Sequence, residues 1–198
     1  IRSIIIDELK QVNKRYVTPR KTGIVYADEI EEFDEEEHVP DYPVTLFLSK
    51  EGYFKKITAQ ALRMSSEQKY KDGDALMTSF EATNRSELLI LTDHQQMYKA
   101  KVADFEETKA SVLGMYLPTR LQMDEGENVL AMIDPGDYRG HLLFVFENGK
   151  AARVELSAYE TKTNRRKLLN ACSDKSPVRS VLLLREEMDV VCYASDER

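Results

Sequence analysis

The chain has 198 residues and a formal net charge of −7, with 42% hydrophobic and 32% charged residues. This is the size and composition of one globular domain with an appended arm, and it excludes wholesale disorder. No run approaches the roughly 20 apolar residues of a membrane helix, and the opening "IRSIIIDELK" lacks the pattern of a signal peptide, so a cytoplasmic protein without a membrane partner is expected.

The charge is unevenly placed. Residues 1–42 carry 6 basic and 11 acidic side chains, leaving 22 basic against 24 acidic for the remainder. Cys172 and Cys192 are too few for a disulfide scaffold or a four-thiolate zinc site, and read as free thiols. His38, His94 and His141 are far apart, with no Cys or His at ligand spacing, so no metal site is expected. A Gly-x-x-x-x-Gly-Lys-Ser/Thr phosphate loop and a Gly-x-Ser-x-Gly elbow are both missing. The stretch itself is therefore expected to be non-catalytic.

In chain order, Ile5, Leu9 and Val12 recur at helical spacing between Ile4 and Asn13, which predicts a short helix ending before Pro19. Eight carboxylates follow between Asp28 and Glu37, then prolines at 40 and 43. This reads as an acidic linker over residues 28–42. A divalent cation is the alternative reading, disfavoured because ligands in an unstructured run are not preorganised.

From Pro43 the pattern changes to alternation, with Val44, Leu46 and Leu48 on one face. The phrase "LFLSKEGYFKKI" at Leu46 returns as "LILTDHQQMYKA" at Leu89 and "LFVFENGKAARV" at Leu143, and "VVCYASDER" at Val190 opens a truncated copy. These starts lie 43, 54 and 47 residues apart. Apolar runs at 75–80, 112–117, 129–133 and 178–184 supply further strands. A period of this length with several short strands per unit predicts a mainly β, propeller-like array of four-stranded blades starting near 44, 88, 142 and 189. A sandwich remains the alternative on pattern alone.

Lys56, Lys99 and Arg153 occupy one column of the three full copies. If the copies are blades, that column strings positive charge along one surface. Further basic residues gather nearby: Lys55, Arg63, Lys69, Lys71, Lys101, Lys109, and the run Arg165, Arg166, Lys167. Together they are the candidate nucleic-acid contacts.

In these features the chain resembles the A subunit of bacterial type IIA topoisomerases, the family of DNA gyrase and topoisomerase IV. "IIIDELKQVNKRYVTPRKTGIV" is similar to the end of the helical arm of the cleavage core, placing that arm at residues 1–27. "VTLFLSKEGYFKKI", with Gly52, Tyr53, Phe54, Lys55 and Lys56, resembles the first blade of the C-terminal domain, and "ELLILTDHQQMYKAKV" and "HLLFVFENGKAARVEL" resemble internal blades. The resemblance implies a β-pinwheel over residues 43–198, a disc whose blades exchange strands and whose basic rim binds and bends duplex DNA. It implies partnership with the ATPase B subunit in an A2B2 complex, with ATP and Mg handled on other domains and no cofactor in this stretch. It also implies a cytoplasmic, nucleoid-associated setting.

The Gln-Arg-Arg-Gly-Gly-Lys-Gly box of gyrases is degenerate here: Gln68, Lys69, Tyr70, Lys71, Asp72, Gly73, Asp74. That loss tilts the resemblance towards a topoisomerase IV type, serving decatenation and relaxation, with a divergent gyrase as alternative. From a different class, net charge −7 suits a propeller-type protein-binding scaffold. Three full repeats and a stub predict a partial disc with open strand edges near Val190–Arg198, part of a longer subunit.

Overall fold

The computed structural model describes residues 1–18, 39–65, 67–161, 166–191 and 193. It divides into two units, Ile1–His38 and Val39–Arg198. In the first, α1 runs from Arg2 to Tyr16, longer at both ends than the apolar spacing predicts. Nothing between Asn13 and Tyr16 breaks a helix, and Lys14 and Arg15 in the last turn favour its negative dipole end. None of its residues is buried. The acidic stretch 28–37 lies outside the described residues.

The second unit is built from strands. β1 (Pro43–Ser49), β2 (Tyr53–Thr58), β3 (Leu76–Thr83) and β6 (Met115–Tyr116) form one antiparallel sheet in the order β3-β1-β2-β6. β4 (Glu87–Thr92), β5 (Met97–Lys101), β7 (Val129–Ile133) and β10 (Lys167–Leu168) form a second, ordered β10-β5-β4-β7. β8 (His141–Phe146), β9 (Ala151–Glu155) and β11 (Val178–Leu184) form a third, ordered β11-β8-β9. The short helices α2 (Ala59–Met64) and α3 (Leu117–Arg120) lie between strands.

The repeat is structural as well as textual. Leu46 faces Lys56, Leu89 faces Lys99 and Leu143 faces Arg153 across their hairpins. Each hairpin turn has a positive φ at the same place, Gly52, Gln95 and Gly149, where the N–H closes onto the carbonyl three residues back. Glycine takes that conformation without cost, and Gln95 is the residue that strains it.

The fourth strand of a sheet is not its own. β6 closes the first sheet but follows β5 in the chain, and β10 closes the second but follows β9. The first and second sheets therefore each receive an edge strand from the following repeat. The apolar run 112–117 yields only two strand residues, because Pro118 sits in the first turn of α3 and starts a helix there. Gly114 lets β6 approach: a Cβ at its φ of +94° would overlap the Phe54 carbonyl oxygen. The third sheet has three strands among the described residues, not the expected four, and β9 forms its open edge. Of the stretch expected to carry an open strand edge, Val190, Val191 and Tyr193 are irregular, and the rest of 192–198 lies outside the described residues.

Two cores separate the three sheets. Val44, Leu46, Leu48, Phe54, Leu88, Ile90, Val102 and Phe105 pack together between the first and second sheets. Leu89, Leu91, Met97, Leu142, Phe144 and Phe146 pack between the second and third. β4 sends alternate residues into both cores, so its run Leu88–Leu91 is fully buried, as expected of a strand covered on two faces.

Candidate nucleic-acid interface

Side chains alternate across a strand, so Leu46 and Lys56 share one face of the first sheet, the face turned to the second. Lys56 is 2% exposed. Its ammonium donates to Asn84 Oδ1 at 2.5 Å, the Phe105 carbonyl at 3.0 Å and the Val102 carbonyl at 3.1 Å, and lies over the Tyr42 ring. Burial lowers its pKa, with the Glu107 carboxylate opposing that effect. Tyr42 donates to Glu107, a bond which, with burial, pushes the phenol up to about 12.

Lys99 repeats this arrangement one sheet on. Its side chain is 12% exposed, 3.6 Å from Glu87 and over the Tyr138 ring, and its ammonium donates to Thr161 Oγ1. Tyr138 in turn donates to Glu87 at 2.6 Å. Arg153 is exposed, and its guanidinium meets the His141 ring at 3.2 Å.

The basic column thus corrects the sequence reading. Lys56 and Lys99 do not string charge along an outer surface; they point into the space between successive sheets, while Arg153 of the same column is exposed. Lys56 and Lys99 are satisfied there by groups of their own and the next repeat. Lys55 is a second correction: it is 2% exposed and its ammonium donates to the Lys69 carbonyl at 2.7 Å, the Ala110 carbonyl at 3.0 Å and Gln68 Oε1 at 3.3 Å. Adjacent strand residues point to opposite faces, so the pair Lys55–Lys56 holds two different sets of loops.

The remaining candidates are placed differently. β3, β7 and β11, one from each sheet, line a common groove of about 550 Å³. The exchanged strands lie at the opposite sheet edges, about 14 Å away at the usual strand spacing. Exposed basic residues sit along those outer edges. At the first, Lys69 donates its backbone N–H to the Ala110 carbonyl at 2.9 Å, which brings exposed Lys69, Lys71 and Lys109 into one neighbourhood, with exposed Arg63 at the end of α2. At the second, Lys99 donates its N–H to the Arg166 carbonyl at 2.8 Å, bringing exposed Arg166 beside β5, where half-buried Lys101 lies two residues on. Lys167 adjoins them, its ammonium 2.9 Å from Asp124 and over the Tyr98 ring. Arg165 lies outside the described residues.

Lys71 pairs with Glu51 at 2.7 Å, an exposed pair that contributes little to stability. Within the degenerate box, Asp72 and Gly73 are exposed at a turn closed by Asp74 N–H to the Lys71 carbonyl. Asp74 is structural: its carboxylate accepts from the N–H groups of Ala75 and Glu51, tying the segment to the β1–β2 turn. Half-buried Tyr70 covers the Lys55 ammonium.

Sequence reasoning misses Tyr42, Tyr98, Tyr138 and the buried Glu127. Glu127 accepts from Tyr98, from Thr92 and from the Asp124 N–H. His94, Asp124 and Glu127 bring ligand-type atoms within 4.8 Å of one another, but Lys167 and Gln96 already donate to Asp124. The sequence does hold the lysines and the tyrosines as separate residues; only the fold pairs them.

No family model matches the chain. Among curated proteins it is 24% identical over its whole length to the DNA gyrase A subunit of Campylobacter jejuni and 23% identical over 93% of its length to the DNA topoisomerase 4 A subunit of Staphylococcus epidermidis. It spans about a quarter of the length of these relatives, 24% of each. Among solved structures it superposes on a C-terminal domain of DNA topoisomerase IV with a TM-score of 0.65 at 24% identity, covering 74% of this chain and 47% of that one. The E. coli ParC C-terminal domain gives 0.58 at 16% identity, covering 73% and 58%. The chain is a homologue of gyrase and topoisomerase IV A subunits, and its sheets have the β-pinwheel fold of their C-terminal domains.

Proposed function

We propose that this chain binds and bends duplex DNA as the C-terminal domain of a type IIA topoisomerase A subunit, presenting a duplex segment to an ATP-dependent strand-passage machinery. The observation that carries this reading is the recurrence of exposed basic residues at successive outer edges: Arg63, Lys69, Lys71 and Lys109 at the first, and Arg166, flanked by half-buried Lys101 and Lys167, at the second. Such an array neutralises phosphates without reading bases. Its spacing around a common groove lets a curved duplex gain backbone contacts that offset its bending cost.

On the same reading the parent works with a B subunit in an A2B2 complex in the bacterial cytoplasm, near the nucleoid, and ATP and Mg act on other domains. No described helix is long and apolar enough to cross a membrane. The degenerate box favours a topoisomerase IV type over a gyrase. Asp74 is committed to the β1–β2 turn and Asp72 adds negative charge, which opposes tight wrapping at that segment.

Ligase-mediated circularisation of a duplex about one persistence length long, roughly 150 bp, tests the proposal. The protein should raise the yield of minicircles at low salt. Unchanged circularisation with no DNA retention would favour the protein-scaffold reading that the net charge of −7 supports.

A further inference from the structure

Lys55 belongs to no surface, yet it touches the segments that carry the exposed charge. Its ammonium has three donors, and all three are used: on the Lys69 carbonyl, the Gln68 side chain and the Ala110 carbonyl. The Tyr70 ring closes over it at 5.3 Å. Residues 68–70 belong to the first repeat, whereas Ala110 belongs to the connection that leads into β6, the strand lent by the second. One buried cation therefore joins two chain segments about 40 residues apart, and each carries lysines that point to solvent. The Lys69 N–H to Ala110 carbonyl bond runs beside it. Asp74 holds the far end of the same segment to the hairpin turn, so the segment is fixed at two points.

We propose that Lys55 is the positioning residue of the first-edge phosphate surface: a clamp that holds segments 68–71 and 109–112 together, so that Lys69, Lys71 and Lys109 act as one unit. The inference rests on the DNA-binding reading above. Lys55 does not contact DNA. Its flexible stem and compact charge suit two carbonyls and an amide arranged around a point, a task for which the planar fork of arginine is poorly shaped. Burial lowers its pKa, in keeping with a cation held by neutral acceptors.

The test uses the full chain with a mixed-sequence duplex across a salt series, and amide exchange measured in parallel. Lys55→Met keeps the stem and removes the donors. It should lower the slope of log affinity against log salt by about 2, approaching the effect of the combined Lys69→Ala, Lys71→Ala and Lys109→Ala variant, from about 0.9 per phosphate contact. Adding Lys55→Met to that triple variant should change the slope no further. Exchange at the Lys69 amide should rise at least tenfold while the β4 amides keep their protection. A wild-type slope in a folded Lys55→Met protein, or an additive loss on top of the triple variant, would overturn the clamp.

If Lys55→Met does not fold, the paired change Gln68→Ala with Tyr70→Leu loosens the clamp from outside, and the same slope and exchange outcomes decide. If the wild-type chain does not bind the duplex, the DNA-binding reading fails and the Lys69 exchange rate alone decides the clamp. Unchanged exchange then rejects it, and the tenfold rise supports a clamp for that edge.

Discussion

Lys56 and Arg153 occupy the same register position and do different things. Lys56 holds three acceptors inside the protein; Arg153 faces solvent because no described sheet covers its side of the third. Lys56→Met leaves the Asn84 side chain and two carbonyls without their donor. It should cost about 2 kcal/mol in urea unfolding, while Arg153→Met stays within about 0.5 kcal/mol, as surface changes do. The tyrosines set an alkaline limit. Tyr42 and Tyr159 are held near 12, the first mainly by its bond to Glu107 and the second mainly by burial, and burial also raises Tyr138. Unfolded tyrosines ionise near 10, so above that pH the unfolded chain loses protons first and stability falls as pH rises towards 12. Lys55 and Lys56 act in the opposite sense, because their lowered pKa values make charging costly in the fold and that cost is relieved as pH rises. Absorbance titration at about 295 nm should show Tyr42, Tyr138 and Tyr159 ionising above the ordinary tyrosine value near 10. Ionisation of all ten tyrosines in a single step near pH 10 would contradict these shifts.

At the scale of elements, the hairpins are legible because the turn chemistry and the alternation recur together, at Gly52, Gln95 and Gly149. Strand exchange is legible only through resemblance. A two-residue strand such as β6 leaves no period to read, and its partner is fixed by the close approach at Gly114. The column Lys56, Lys99 and Arg153 is visible in the sequence, but its direction is not. Register sets which face a residue shares, while the neighbouring sheet decides whether that face meets water. Two substitutions probe these elements. Gly114→Ala should cost more than about 2 kcal/mol, combining a forbidden φ with overlap on the Phe54 carbonyl, and should expose the outer-edge amides of β2 to exchange. Gln95→Gly relieves a left-handed residue and should raise stability by about 0.5 kcal/mol in the same urea titration, after the entropy of glycine in the unfolded chain is subtracted.

For the whole molecule, the net charge of −7 misleads as a guide to partners. Its acid excess belongs largely to residues 1–42, and the repeats hold 22 basic against 24 acidic side chains. Within the repeats the fold sorts the cations into two populations. Lys55, Lys56 and Lys99 are drawn inward as structural ties, and Arg63, Lys69, Lys71, Lys109 and Arg166 are left at the outer edges. The sequence shows the number of basic residues but not this sorting, since Lys99 and Arg153 share one column of the repeat and only the first is drawn inward. The decisive measurement is fluorescence anisotropy of a labelled duplex with the 198-residue chain over a range of salt concentrations. Binding at low salt should weaken steeply as salt rises, with a shallower slope once Lys69, Lys71 and Lys109 are replaced by alanine. No binding at low salt, or a slope indifferent to those three lysines, would contradict a phosphate-binding outer edge.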